Sequence, residues 1–253
     1  MRKEAVVLMC TALVALAAGP ARAAEIKLLT AGAMRSVVDA LVPEFEKRSG
    51  RKVTVDNATA GVLAKRIEGG EAFDAVIITA AVIDGLIGNG RLAPGSRVAL
   101  AKVGMGVVVK AGAPLPEIGT VDAFKRALLA AKSVAYIDPK AGGTSGSYFE
   151  TLIARLGIAD DIKPKARLKD GGHVADLVAS GEAELGVHVI SEIVPVAGVV
   201  LVGPLPAEIQ HTTLYVAGVA SAAKDGEGAS ALIAFLAGPA AGPILKAKGM
   251  ERP

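Results

Sequence analysis

The sequence predicts a two-lobed α/β fold in which two parallel-rich sheets are joined by two crossing strands. Short apolar segments alternate with amphipathic segments of about 10–15 residues, which is typical of βαβ units. Residues 75–78 are wholly apolar, as expected for a strand that is buried on both faces of a parallel sheet. Two long apolar segments, at 104–110 and 213–220, indicate where the chain would pass between the lobes.

The first part of the chain alternates strands with helices that have recognisable apolar faces and ends. In the first helix Val37, Leu41 and Phe45 lie four residues apart and would share one face. Gly69 and Gly90 follow the second and third helices, as is common at helix C-termini. The predicted strands here are residues 25–29, 51–55 and 75–78, and the predicted helices are residues 33–49, 62–68 and 81–89.

The second part of the chain continues this alternation. Pro114 and Pro116 indicate a loop after the first crossing strand, and two Gly-Pro pairs interrupt the final helix. The predicted strands are residues 104–110, 134–138, 185–190, 199–202 and 214–220, and the predicted helices are residues 121–131, 145–156, 174–180 and 228–246. We expect residues 24–104 with 213–253 to form one lobe and residues 105–212 to form the other.

Residues 1–23 have the pattern of a cleaved export signal. Arg2 and Lys3 precede an apolar run over residues 5–18, and the small residues Ala21 and Ala23 flank Arg22 at the cleavage site. The apolar run is shorter than the roughly 20 residues that span a bilayer. We expect cleavage after Ala23, a periplasmic location and no membrane insertion of the mature protein; a retained anchor is the alternative.

The composition excludes several classes of function. The chain has 28 Lys and Arg residues against 25 Asp and Glu, which gives no concentrated basic face for nucleic acid. It has no Trp and only 3% aromatic residues, too few for the aromatic walls of sugar sites. The one cysteine, Cys10, lies in the predicted signal. No metal-binding or serine-hydrolase motif is present, so we expect neither a metal nor a cofactor.

Three segments carry a resemblance to a known family. LAKRIEGG at 63–70 with FDAVI at 73–77 resembles the family segment LARQIEAG…ADVFI. Asp138-Pro139 leading to Gly146 and Tyr148 resembles DPxxxPAGxYA, and VASGEAELG at 178–186 resembles VESGEADAGI. The chain thus resembles periplasmic solute-binding proteins of the molybdate-binding type, which serve ABC importers and include aconitate isomerase-like members. The resemblance runs from about Glu25 to the C-terminus. It implies the type II periplasmic binding protein fold, with the ligand between the lobes.

The ligand positions that the resemblance implies differ from the family pattern. The family has a serine where this chain has Ala33, and a second serine where it has Gly61. A family tyrosine falls on Val189, with His188 immediately before it. Three hydroxyl groups that would face an oxyanion are therefore missing, which favours an organic carboxylate over molybdate as the ligand.

Two candidate ligand segments follow strands of the first lobe, where N–H groups at helix starts attract anions. Arg35 either holds a carboxylate through two hydrogen bonds or is a solvated surface residue. Thr59 either donates to the ligand or simply caps the second helix. The residues expected to contact the ligand here are Gly32, Ala33, Met34, Arg35, Ala60 and Gly61.

Two further candidate segments lie in the second lobe. The loop at 140–148 combines glycines with hydroxyl residues directly after a strand, as in an anion nest, although Thr144 or Ser145 would also serve as a helix cap. His188 is either a packed core residue or a group that bonds the ligand and exchanges a proton. The residues expected to contact the ligand here are Gly143, Thr144, Ser145, Gly146, Ser147, His188 and Val189.

The sequence therefore predicts a monomeric periplasmic solute-binding protein that captures a small oxyanion or organic carboxylate and delivers it to an ABC permease. The alternative is a cofactor-free isomerase that shifts a proton in an unsaturated tricarboxylate, as the resemblance to the aconitate isomerase-like members implies. In that case His188 would be the catalytic residue, with Lys140, Tyr148 or Glu192 as possible partners.

Overall fold

The computed structural model describes residues 25–253, so the predicted export signal lies outside the described residues. The chain forms two five-stranded sheets with helices packed against them, which confirms the predicted fold class. The strands are β1 (Glu25–Ala31), β2 (Lys52–Ala58), β3 (Ala75–Thr79), β4 (Val98–Val103), β5 (Met105–Lys110), β6 (Val134–Ile137), β7 (Ala166–Lys169), β8 (Leu185–Val189), β9 (Val199–Pro204) and β10 (Thr213–Val219). The α-helices are α1 (Gly32–Ser49), α2 (Ala60–Glu68), α3 (Ala80–Gly88), α4 (Val121–Ala130), α5 (Thr144–Arg155), α6 (Ala159–Ile162), α7 (Ala175–Ser180), α8 (Ile190–Ile193), α9 (Gly226–Ala237) and α10 (Ala241–Ala247).

The two sheets have the same plan. The first has the strand order β2-β1-β3-β10-β4 and the second β7-β6-β8-β5-β9. In each sheet the first three strands are parallel, and the fourth runs antiparallel to its neighbours on both sides. The carboxyl ends of the parallel strands therefore lie along the same side of each sheet, where the following helices begin. Ligands of open α/β sheets bind at the carboxyl ends of the strands.

The chain passes between the sheets twice, at Gly104 and over residues 205–212. The side chain of Gln210 joins the two passages. Its Oε1 accepts the N–H of Met105 at 2.8 Å, and its Nε2 donates to the Met105 carbonyl at 3.0 Å. The two connections are thus fastened to each other beside the point where the sheets meet.

The cores are mostly aliphatic, with a small aromatic contribution in both halves of the molecule. Phe45 and Phe235 pack with ring centroids 5.8 Å apart in the first half, and the buried Phe149 and Tyr136 pack with ring centroids 4.8 Å apart in the second. The buried Asp74 carboxylate accepts three backbone N–H groups, from Lys27, Lys224 and Asp225, which fastens the start of β3 to β1 and to the loop before α9. These three hydrogen bonds offset the cost of burying the carboxylate.

The elements differ from the sequence prediction in a few places. Strands β4 and β7 were not predicted, because Lys102 interrupts the short apolar run of β4 and the four residues of β7 include Arg167 and Lys169. The predicted C-terminal helix divides into α9 and α10 at Gly238, while Pro243 lies in the first turn of α10, where its missing N–H has no partner to lose. In the described chain no single helix is long and apolar enough to cross a membrane; α9 and α10 meet that length and composition only jointly, with a 63° bend between them.

Candidate ligand-binding site

A cavity of about 300 Å³ lies between the two sheets, at the strand ends where helices begin. Residues from the starts of α1, α2 and α5 contribute to its wall, together with the end of β8 and one residue of β10. The lining residues are Ala31, Gly32, Ala33, Asn57, Ala58, Thr59, Ala60, Val62, Ile137, Gly143, Thr144, Ser145, Asp170, Gly171, Gly172, His188, Val189, Glu192 and Tyr215.

Two of the helices that begin at this cavity lack a side-chain cap. Neither Ala31 before α1 nor Gly143 before α5 makes a side-chain hydrogen bond to its helix. The first N–H groups of a helix have no partner within the helix, and the helix dipole adds positive potential at the same end. The starts of α1 and α5 are therefore suited to bind an anion from opposite sheets.

The two halves of the molecule touch directly at one side of the cavity. Thr59 Oγ1 donates to the Ala141 carbonyl at 2.5 Å, and the Gly61 N–H donates to the Gly142 carbonyl at 2.9 Å. A Cβ atom at Gly61 would lie 2.9 Å from the Gly142 Cα, so this approach requires glycine. Thr59 also accepts the N–H of Val62 at 3.3 Å, so it both caps α2 and closes the cavity.

Two buried ionisable groups in the cavity wall are His188 and Glu192, which lie four residues apart where β8 leads into α8. His188 Nε2 is 3.8 Å from Glu192 Oε2, and both residues are buried. Burial lowers the pKa of His188 to about 3 and raises the pKa of Glu192 to about 8. Near neutral pH both groups are therefore uncharged.

The hydrogen-bonding capacity of this pair is largely unused. His188 Nδ1 is buried and has no hydrogen-bond partner among the described residues. Tyr215, on β10, also lines the cavity and is buried. Desolvation is the main cause that raises the pKa of Tyr215, and the charge of an ionised Glu192 is the second. Tyr215 is therefore a neutral hydroxyl at any ordinary pH. Buried polar groups without partners in a cavity wall favour a polar ligand.

Glu192 is held in place by its neighbours on two sides. A Cβ atom at Gly32 would lie 2.5 Å from Glu192 Oε1, so glycine at this position lets the carboxyl group lie where it does. The ring Nδ1 of His173 lies 2.9 Å from the Glu192 carbonyl oxygen and bonds it. The carboxyl group is thus brought to the first turn of α1.

Eight of the thirteen ligand positions predicted from the sequence line the cavity; they are Gly32, Ala33, Ala60, Gly143, Thr144, Ser145, His188 and Val189. Two of the others turn away from it. Arg35 is exposed and bonds Asp39 one turn along α1 at 2.7 Å, while Met34 is buried in the core beneath the helix. Arg35, the cation that was predicted to bind a carboxylate, therefore lies outside the cavity.

The remaining three predicted residues have structural contacts close to the cavity. Gly61 makes the contact with Gly142 described above. A Cβ atom at Gly146 would lie 2.1 Å from the Ile137 carbonyl oxygen, so its glycine allows α5 to pack on β6. Ser147 Oγ donates back to the Gly143 carbonyl at 3.2 Å.

Sequence reasoning missed Tyr215 and the turn at 170–172, both of which line the cavity. Tyr215 lies inside a predicted apolar strand, where alternation alone does not show which side faces a ligand. Of the partners suggested for His188, Glu192 is adjacent to it, whereas Tyr148 donates to the Ile209 carbonyl at 2.7 Å and does not line the cavity. Lys140 is exposed and likewise is not among the lining residues.

The lining residues include neither lysine nor arginine. Within residues 25–253, no group of three or more His, Cys, Asp or Glu side chains is arranged to hold a metal ion. The chemistry of the cavity is therefore carried by backbone N–H groups, hydroxyls, the Asn57 amide, the His188 imidazole and two carboxyl groups, of which Glu192 is buried and Asp170 exposed.

This two-sheet fold with its central cavity is the architecture of solute-binding proteins. The family model described as bacterial extracellular solute-binding protein matches residues 26–251, and the chain belongs to this family.

Individual relatives resemble the chain over nearly its whole length. An aconitate isomerase of Pseudomonas sp is 32% identical over 93% of this chain and 92% of the relative. The molybdate-binding protein ModA of Azotobacter vinelandii is 28% identical over 93% of this chain and 95% of the relative. The solved periplasmic molybdate-binding protein of A. vinelandii superimposes with a TM-score of 0.75 at 21% identity, over 90% of this chain and 99% of that one, which shows the shared fold.

Proposed function

We propose that this protein binds a small anion, preferably an organic carboxylate, in the cavity between its sheets. The observation that carries the proposal is the convergence of the starts of α1, α2 and α5 on one cavity that no lysine or arginine lines. Helix starts carry about half a positive charge each and bind anions through backbone N–H groups. The names of the relatives support the proposal, since molybdate and aconitate are both small anions.

The size and lining of the cavity favour a compact ligand with several oxygens. A volume of about 300 Å³ lies at the lower end of the range for small-molecule pockets. Thr144 and Ser145 come from the second sheet's side, and Asn57 comes from the first. A ligand with carboxylates at separate positions would reach both groups. Molybdate is less favoured because Ala33 and Gly61 offer no hydroxyl.

The protein would act outside the cytoplasmic membrane and deliver its ligand to an ABC permease. This part of the proposal is supported by the charged and apolar pattern of residues 1–23 and by the extracellular family to which the chain belongs. The cavity between two halves that meet across Gly61 and Gly142 fits capture by closure.

The test is calorimetric titration of the protein with trans-aconitate, citrate, sulfate and molybdate. We expect a single site for at least one carboxylate, with micromolar or tighter affinity. Ser145→Ala removes a cavity hydroxyl and is expected to weaken binding by about tenfold or more, because hydrogen bonds to charged groups are worth about 1.5–3 kcal/mol. Ser147→Ala is the matched control, since that hydroxyl bonds the Gly143 carbonyl instead. Failure of every anion to bind would overturn the proposal.

A second candidate function is isomerisation of an unsaturated tricarboxylate. It is favoured by the His188–Glu192 pair, which a cleft that only binds does not need, and by the 32% identity with an aconitate isomerase. An allylic shift breaks one C–H bond and forms another while the double bond moves, so it needs a group that releases and accepts protons. Glu192 suits this role better than His188 because its pKa of about 8 is closer to neutrality.

Proton NMR of trans-aconitate incubated with the protein tests this function. Isomerisation predicts accumulation of cis-aconitate at a rate proportional to protein concentration. Glu192→Gln is expected to lower turnover by about 10²–10⁴-fold. Binding of trans-aconitate without any conversion would exclude the isomerase and leave the binding function.

A further inference from the structure

Glu192 is an unusual residue to find in a site proposed for an anion. Its carboxyl group is buried, lines the cavity and approaches Gly32 at the first turn of α1. This is also the place where the helix start would attract an anionic ligand. An ionised Glu192 and an ionised ligand would repel each other there, as two carboxylates in one site do.

No cationic side chain among the residues that line the cavity relieves this repulsion. On β8, His188 Nε2 lies 3.8 Å away, in a buried position that keeps the ring neutral. His173, in the loop before α7, bonds the backbone carbonyl of Glu192 rather than its carboxyl group. On β10, Tyr215 is a neutral phenol, and α1 presents Gly32. The exposed Asp170 on the cavity rim is itself acidic.

We propose, on the basis of the anion-binding function above, that Glu192 binds the ligand as a neutral carboxylic acid and donates its O–H to a ligand oxygen. When the free protein has Glu192 ionised, one proton from solvent joins the carboxylate as the ligand enters. No bond of the ligand changes in this step. The resulting hydrogen bond from an acid to an anion is of the charge-assisted kind, which is stronger than a neutral one. The cavity thus places a shared proton, and no cationic side chain, against the anion.

The proposal fixes the direction of the pH dependence. Burial raises the pKa of Glu192 to about 8 in the free protein, and the charge of a bound anion raises it further. Below pH 8 Glu192 is already protonated in the free protein, so ligand binding takes up few protons. The affinity for the ligand is therefore nearly independent of pH in this range. Above pH 8 binding must include a proton, so the affinity falls by up to about tenfold for each unit of pH.

Titration calorimetry with trans-aconitate as the probe tests this inference. At pH 9 the measurement is made in two buffers of different ionisation enthalpy, which counts the protons taken up. We expect close to one proton for the wild-type protein and none for Glu192→Gln, whose amide still donates an N–H but does not titrate. Glu192→Gln should bind within about tenfold of wild type at pH 7 and lose the pH dependence. Glu117→Gln, at an exposed loop position, is the matched control and should behave as wild type.

The outcomes separate this inference from the function on which it rests. Binding by the wild-type protein without proton uptake, or an unchanged pH dependence in Glu192→Gln, would overturn the role of Glu192 and leave anion binding intact. Failure of the wild-type protein to bind trans-aconitate or any other anion would overturn both. If Glu192→Gln does not fold, the ¹³C shift of the Glu192 carboxyl carbon in the wild-type protein decides. A carboxyl that is ionised in the bound state at pH 7 contradicts the proposal.

Discussion

At the scale of single residues, the site depends as much on a missing side chain as on those present. Gly32 begins α1 and faces the carboxyl group of Glu192, whose Oε1 would lie 2.5 Å from a Cβ atom there. Alanine is otherwise a better helix residue than glycine. The glycine therefore costs some helix stability, and what it provides is space for the carboxyl group at the helix start.

Gly32→Ala tests this arrangement. The methyl group should displace the Glu192 carboxyl from the first turn of α1, so we expect carboxylate affinity to fall by about tenfold or more, as for loss of a charge-assisted hydrogen bond. The free energy of unfolding should change by less than about 1 kcal/mol, since alanine is favourable in a helix. Calorimetric titration and urea unfolding measure the two quantities.

Gly85→Ala in α3 is the control, because a Cβ atom there meets nothing within 4 Å. This variant should keep full affinity and gain about 0.5–1 kcal/mol of stability. Unchanged carboxylate affinity in Gly32→Ala would show that Glu192 does not need to reach the start of α1.

At the scale of elements, the contact between the start of α2 and the one-turn 3-10 helix Pro139–Ala141 with Gly142 joins the two halves across the cavity. We call this contact the interlobe latch, formed by Thr59 and Gly61 on one side and Ala141 and Gly142 on the other. It consists of two hydrogen bonds and a close backbone approach between groups of the protein itself. We expect it to stabilise the arrangement in which the two halves meet beside the cavity.

Gly61→Ala should weaken the interlobe latch. Its Cβ atom would lie 2.9 Å from the Gly142 Cα and 3.1 Å from the Gly142 carbonyl oxygen, and backbone at this distance has to move. We expect weaker anion binding and a larger radius of gyration with ligand present, measured by calorimetry and small-angle X-ray scattering. Gly119→Ala, where nothing lies within 4 Å, should alter neither quantity. A Gly61→Ala protein with wild-type affinity and radius would show that the latch is not needed for closure.

At the scale of the whole molecule, the fold class was predictable because the spacing of apolar residues along the chain reflects which positions are buried. The apolar run at 75–78 became the fully buried β3, and the spacing of Val37, Leu41 and Phe45 became the buried face of α1. The unpredicted strands β4 and β7 are edge strands, and charged residues (Lys102 in β4, Arg167 and Lys169 in β7) interrupt their apolar pattern. The pairing of an edge strand depends on residues that are distant in the chain, and the local sequence pattern carries no information about them.

The candidate site was predictable where the sequence pattern indicates the start of a helix after a strand. Glycine followed by hydroxyl residues marked Gly143, Thr144 and Ser145, which line the cavity. The direction of a side chain on a helix was not predictable in the same way, so Arg35 was expected in the cavity and instead bonds Asp39 on the surface. Tyr215 lines the cavity from β10, whose neighbours β3 and β4 in the sheet lie more than a hundred residues earlier in the chain, so no local motif indicates it.

The central claim is that a small anion lies between the two sheets, held by helix starts and a protonated Glu192. A crystal structure of the protein with trans-aconitate tests it most directly. We predict one tricarboxylate in the cavity, with carboxylate oxygens within hydrogen-bonding distance of the N–H groups that open α1 and α5 and of the Glu192 carboxyl group. A ligand bound outside this cavity, or one whose carboxylates are paired with lysine or arginine, would contradict the claim.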